Sequence, residues 1–237
     1  NAQGKTNILE AIFLCATGKS HRSCKDEDII MFDKDFFQID LLIKKEEKKN
    51  DENINFKYIK SKGKQISVNE VKITKMLELM GQLVVVMFSP EDINIIKGAP
   101  HFRRKFVDII ISQLKPRYFY NLQMYNKIMR QRNSLLKDLK INNKFIDTLD
   151  VWDQKLASVS IEIMKERKNY IEKINKYSKK FHLGITKGEE ELNVVYMSSI
   201  DLENISLERV LLDIKKNRQK DIMKGSTSIG PHKDEYL

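Results

Sequence analysis

The chain has 237 residues, 41% of them hydrophobic, and carries 43 Lys and Arg against 33 Asp and Glu, a formal charge of +10. That length allows one large domain or two small ones around an ample core, and the surplus of positive charge suits a polyanionic partner. No run of about 18 apolar residues and no signal peptide occurs, so neither membrane insertion nor secretion is indicated; Cys15 and Cys24 lack C-x-x-C spacing and matching His ligands, which points to a reduced, intracellular compartment and no zinc.

Residues 1–12, Asn-Ala-Gln-Gly-Lys-Thr-Asn-Ile-Leu-Glu-Ala-Ile, read as the second half of a phosphate-binding loop running into a helix. Backbone N–H groups around Gly4 and Lys5 would form an anion nest at the positive end of the helix dipole. Lys5 would neutralise phosphate oxygens, and the Thr6 hydroxyl would ligate Mg²⁺. The alternative is an ordinary polar turn. Ile8, Leu9, Ile12 and Phe13 share one helical face, predicting a buried helix behind the loop, with Gly18 as its stop. Arg22, just beyond, reads either as an arginine reaching a nucleotide's phosphates or as a surface residue beside the turn.

The period then changes to strands. Phe37, Ile39, Leu41 and Ile43 alternate with Gln38, Asp40 and Leu42; 55–59, 65–68 and 71–73 continue as short antiparallel strands, with Asn69-Glu70 as a two-residue turn. Leu83–Phe88 is apolar without alternation, which predicts a central strand buried on both faces.

From Ser89 the pattern is helical for nearly a hundred residues. One helix is marked by Phe102, Phe106, Ile109 and Ile110 and stops before Pro116; a second runs from Tyr118 to Leu139; a third, from Phe145 to Phe181, spans some 37 residues, about 55 Å, and stops at Gly184. A strand (192–197), a helix (207–223) and a strand (227–229) return the chain to α/β character. The expected organisation is therefore α/β with an inserted helical lobe: 1–88, 89–184 and 185–237. The chain has no initiator Met and ends within a strand-like pattern, so it is read as a fragment.

Residues 101–140 hold ten Lys or Arg against two acids. Lys127, Arg130 and Lys137 share a face opposite the Tyr118/Leu122/Tyr125/Met129 stripe; with Arg103, Arg104 and Arg132 they are the candidates for a nucleic-acid backbone, the alternative being a solvated helix face. The histidines, at 21, 101, 182 and 232, share no metal-ligand spacing, and no Ser-His-Asp or Cys-His arrangement is evident. Residues 227–235, Thr-Ser-Ile-Gly-Pro-His-Lys-Asp-Glu, pack turn-formers and charge together without an assigned role.

Taken together, NAQGKTNILEAI with TGKSHR, MFSPEDINIIKG with RRKFVD, YNLQMYNKIMRQRNSLLK, LDVWDQKL and GSTSIGPHKDE resemble the RecF family of bacterial DNA-repair ATPases, relatives of the SMC-like ABC ATPases, along the whole chain. The resemblance implies a P-loop, ABC-ATPase-like head with a helical lobe, in a cytoplasmic, nucleoid-associated protein. Such a protein binds ATP and Mg²⁺, forms an ATP-dependent homodimer, binds single-stranded, gapped or junction DNA, and acts in replication, DNA damage repair and the SOS response. It helps RecO and RecR place RecA. Asn1, Ala2, Gln3, Gly4, Lys5, Thr6 and Asn7 would be the nucleotide loop, with Thr6 on the metal; Arg22 is a looser match. The chain departs from the pattern at Ser89-Pro90-Glu91-Asp92, where many ABC ATPases place a metal-contacting glutamine, so that contact stays open. The signature and Walker B motifs are expected beyond Leu237, so slow ATP hydrolysis is expected of the full-length protein and not of this segment. Alternatives are a nucleic-acid-binding helical module, an SMC-like structural ATPase without a repair role, and a metabolic P-loop kinase, the last disfavoured by the long helix and the basic window.

Overall fold

The computed structural model describes residues 4–22, 25–45 and 51–237. They divide into two compact units, Asn1–Pro90 with Ser112–Arg117, and Glu91–Ile111 with Tyr118–Leu237.

In the first unit, α1 (Lys5–Thr17) packs against an antiparallel meander of β1 (Phe36–Ile43), β2 (Glu52–Ile59), β3 (Gly63–Val68) and β4 (Val71–Ile73). Period-two alternation turns Phe37, Ile39, Leu41 and Ile43 to the same side as Ile54 and Phe56, where they meet Leu14 and Cys15 of α1. Burying side chains such as Ile54 and Phe56 contributes about 1.5–3 kcal/mol each. The Asn69-Glu70 turn is present: Val68 pairs with Val71, and both turn residues have positive φ (50° and 67°), the twist-compatible hairpin geometry. Gly18 closes α1 with φ 71°, donating its N–H to Leu14 O at 2.8 Å; a Cβ there would lie 1.9 Å from Met76 Cε.

Two expectations for this unit are corrected. The face of α1 that is buried is Leu14-Cys15-Ala16, while Ile8 and Leu9 are more than half exposed. Residues 84–89 are not a buried central strand: they form no ladder, and Val86 and Phe88 are 83% and 89% exposed. Among the described residues no strand lies alongside to pair with them. Instead the Gln113 side-chain amide takes the place of a strand neighbour, accepting from Val85 N at 2.8 Å and donating to Val85 O at 3.2 Å.

The second unit contains α2 (Ile93–Lys97), most of α3 (Pro100–Leu114), α4 (Pro116–Leu139, its first residues excepted), α5 (Leu149–Ile185), β5 (Tyr196–Met197), α6 (Leu207–Lys216), α7 (Arg218–Lys224) and β6 (Glu235–Tyr236). Pro116 opens α4 at the position where its missing N–H costs nothing. The core joins Val107 and Ile111 of α3, Tyr118, Tyr125 and Ile128 of α4, a stripe of α5 from Leu156 to Ile171, and Val210 and Ile214 of α6. The long helix has the expected length of 37 residues but begins and ends a few residues later than the sequence suggests. It passes through Gly184, and Gly188, at φ 86°, caps its end by donating to Leu183 O at 2.8 Å. The helix expected over 207–223 breaks at Asn217 into α6 and α7, and residues 227–229 are not a strand: the closing pair is β5 with β6, two residues each.

Candidate functional site

At the start of α1, Gly4 is the N-cap in the left-handed region, φ 75° and ψ 8°, and accepts from Ile8 N at 3.1 Å. Among the described residues no side chain caps the helix, and by helix geometry the first-turn N–H groups of Lys5, Thr6 and Asn7 have no intrahelical partner. All three residues are exposed, and a Cβ on Gly4 would meet nothing within 4 Å. The local geometry is an open, electropositive helix end with a cation and a hydroxyl in its first turn. Asn1, Ala2 and Gln3 lie outside the described residues.

Arg22 is tied to the same helix. Its backbone N–H donates to Ser20 Oγ at 3.0 Å, Ser20 donates to Glu10, and the Arg22 guanidinium lies 3.5 Å from the Glu10 carboxylate. Being half exposed, that ion pair is worth at most about 1 kcal/mol, which leaves the guanidinium free to exchange partners.

The basic candidates of the second unit separate into two groups. Lys127, Arg130 and Lys137 are exposed along α4. Arg103 and Arg104 are half-buried and turned toward β6: Arg103 Nε donates to Glu235 at 2.7 Å, and Arg104 donates to Asp234 O at 2.8 Å. Arg132 is not a surface cation. It is fully buried, with Nε on Asp153 at 2.7 Å and Nη1 on Asp221 at 2.7 Å and on Thr227 Oγ at 2.9 Å. Asp153 is shared with Arg218 Nε at 2.6 Å.

A second buried arginine, Arg167 of α5, organises the other end of the 225–236 segment. It binds Asp108 through two nitrogens, reaches Pro231 O at 2.6 Å and Asp234 at 3.2 Å, and meets the Tyr118 hydroxyl at 3.1 Å. Burial pushes the hydroxyls of Tyr118 and Tyr196 well up in pKa, so both stay protonated and donate, Tyr118 to Asp108 and Tyr196 to Asp234. His232 bridges Tyr125 and the same segment: its Nε2 lies 3.0 Å from Thr227 O, which can only accept, so Nε2 carries the proton and Nδ1 accepts from Tyr125 at 2.5 Å. Gly230 permits this approach, since at φ 121° a Cβ would stand 2.7 Å from the Tyr125 hydroxyl. Both arginines had a signal in the sequence: Arg132 sits seven residues after Tyr125, on the apolar stripe of α4, and Arg167 lies between Ile163 and Ile171 on that of α5.

No helix of the described residues is long and apolar enough to cross a membrane. No protein-family model matches the chain. Over its whole length it is 43% identical to the DNA replication and repair protein RecF of Acetivibrio thermocellus, 46% to that of Clostridium perfringens and 45% to that of Clostridium botulinum. The chain spans 64–65% of the length of these relatives. Among solved structures it matches, over its whole length and 64% of theirs, the recombination mediator protein RecF with ATP and with ATPrS in the RecFOR pathway, each with TM-score 0.92 and 36% identity.

Proposed function

The chain is a segment of a RecF-family protein, and on that premise we propose that its Gly4-Lys5-Thr6 helix start grips the phosphates of ATP in an ATP-dependent DNA-binding protein of recombinational repair and replication. The observation that carries this reading is the start of α1: Gly4 at φ 75°, first-turn N–H groups without intrahelical partners, and exposed Lys5 and Thr6. These residues fit a polyphosphate in shape and charge. Gly4 keeps the approach clear, Lys5 neutralises charge, Thr6 offers a hydroxyl to Mg²⁺, and Arg22, whose guanidinium pairs with Glu10, turns to the nucleotide. Bound ATP supplies the polyanion on which two copies close as a homodimer. Support comes from solved relatives described as RecF with ATP and with ATPrS.

In this reading the α1–sheet unit belongs to a P-loop, ABC-ATPase-like head, the helices of 89–184 form its inserted lobe, and 185–237 is the return segment. Lys127, Arg130 and Lys137 meet the DNA backbone at gaps or single-strand junctions, and RecO- and RecR-type mediators join the protein in placing RecA. In full-length protein, Lys5→Ala or Lys5→Arg should abolish ATP-dependent dimerisation measured by sedimentation; dimerisation at the wild-type level in either variant would overturn the role of Lys5.

The exposed row of cations on α4 favours a second reading, a nucleic-acid-binding helical module independent of nucleotide. Replacing Lys127, Arg130 and Lys137 together by Ala should weaken DNA binding and reduce the slope of log K against log salt by about 0.9 for each lost phosphate contact. Equal loss with and without ATP would favour the module; loss only of the ATP-stimulated component would favour the ATPase.

A further inference from the structure

The apolar stripe of α5 outlasts the core it feeds. Its last buried residue is Ile171, yet Tyr177 and Phe181 follow at helical spacing and stand 61% and 68% exposed. Rings four residues apart lie on one face, about 6 Å apart along the axis. Exposed Lys173 and Lys180 flank them on the same side. Glu172, one turn before Lys176, lies on the far side of the helix from the rings, and Glu191 pairs with Lys179 and Glu190 with His182. Two solvent-facing aromatic rings bordered by two cations are thus presented by one helix.

We propose that this end of α5 is a stacking platform for single-stranded nucleic acid. The proposal rests on the reading that the full-length protein binds DNA and adds where a single strand is held. The rings offer π-faces that any base can use, and the lysines meet the backbone that joins those bases. A duplex fits poorly, because its bases are paired and stacked about 3.4 Å apart per strand and expose no faces to rings spaced about 6 Å. An apolar protein surface would cover the rings but leave Lys173 and Lys180 facing it without partners.

The test uses full-length protein with a labelled oligothymidylate and a duplex of equal length, at low and moderate salt. Tyr177→Ala/Phe181→Ala should weaken oligothymidylate binding tenfold or more while leaving duplex binding within about twofold. Tyr177→Leu/Phe181→Leu, apolar without a π-system, should lose as much. Because both rings are exposed, the variants should keep the wild-type circular dichroism and melting temperature. Wild-type single-strand affinity in the Ala variant, or full retention in the Leu variant, overturns the platform, the latter in favour of general apolar docking. A changed oligomeric state of the Ala variant with unchanged DNA binding overturns it in favour of a protein contact. A wild-type protein that binds neither oligonucleotide defeats the broader DNA-binding reading itself, a result distinct from selective loss in the variants.

Discussion

Arg167 on α5 and Asp108 on α3 form a forked pair, with Nη2 2.9 and 3.0 Å from the two carboxylate oxygens and Nε 3.0 Å from one of them. The same guanidinium holds Asp234, which has no exposed surface, so one side chain neutralises two carboxylates and fixes the carbonyl of Pro231. Asp108 and Asp234 lie 59 and 67 positions from Arg167 along the chain. A tie of that reach holds α3, α5 and the closing segment in register.

Removing the arginine leaves both acids uncompensated. Arg167→Ala should lower the unfolding free energy by about 3–5 kcal/mol in urea titrations. Arg167→Lys should recover only part of this, because an ammonium cannot reproduce the fork. An unchanged midpoint in the Ala variant would show that the network does not hold the unit together.

Arg130 and Arg132, two residues apart, should behave in opposite ways. Arg132→Ala takes the arginine from buried Asp221 and leaves Asp153 with Arg218 alone, and should cost about 3–5 kcal/mol of stability. Arg130→Ala, on the exposed face, should change stability by no more than about 0.5 kcal/mol while weakening DNA binding. Melting curves and salt-dependent binding of the two variants test both halves of the contrast.

His232 makes stability depend on pH in a defined direction. Burial, with smaller contributions from Lys233 and Arg104, lowers its pKa from the ordinary 6.5, against the opposing effects of the Thr227 carbonyl and Asp234. The unfolded chain therefore binds the proton more readily. This contribution to stability is complete above pH 6.5 and is lost as pH falls through the folded value. His232→Asn should flatten the urea midpoint between about pH 5 and 7 relative to wild type; an undiminished slope would mean that another group is responsible.

Gly230→Ala should destabilise the second unit by about 1–3 kcal/mol, since φ 121° is strained for any side chain and the new Cβ meets the Tyr125 hydroxyl. Adding Tyr125→Phe should recover part of the loss if the collision contributes. A Gly230→Ala protein as stable as wild type would show that the turn relaxes freely.

Burial, reinforced by the charge of Asp40, pushes the Cys15 thiol up to about 12. In a Cys24→Ser background, native protein at pH 8 should react with a disulfide reagent at least about a hundredfold more slowly than urea-unfolded protein, because the thiolate is the attacking species. Rapid native-state modification would mean that α1 leaves the sheet readily.

Where local rules decide the outcome, the amino-acid order was a reliable guide. The heptad-like spacing of Leu149, Leu156 and Ile163 marks the long helix, alternation marks β1, and Asn69-Glu70 makes its turn because nearby backbone strain and side-chain period are set within a few residues. Leu83–Phe88 shows the complementary limit: an apolar run states that a segment can be buried, but a strand exists only where another strand supplies hydrogen bonds, and here the Gln113 side chain does so at a single residue.

For the candidate site the division is similar. Gly-Lys-Thr before a helix is a local signal, and Gly4 adopts the left-handed conformation that an anion-accepting helix start uses. By itself the sequence determined which residues carry charge and at what helical spacing, enough to mark the open start of α1 and the cation-rich face of α4. Only the tertiary structure decided that Arg132 and Arg167 are interior residues and that Tyr177 and Phe181 are not. Burial depends on what the rest of the fold brings up against a helix: Asp221 arrives from 89 positions away to meet Arg132, whereas residues 190–194 lie against Asn175, Lys179 and His182 and leave Tyr177 and Phe181 exposed.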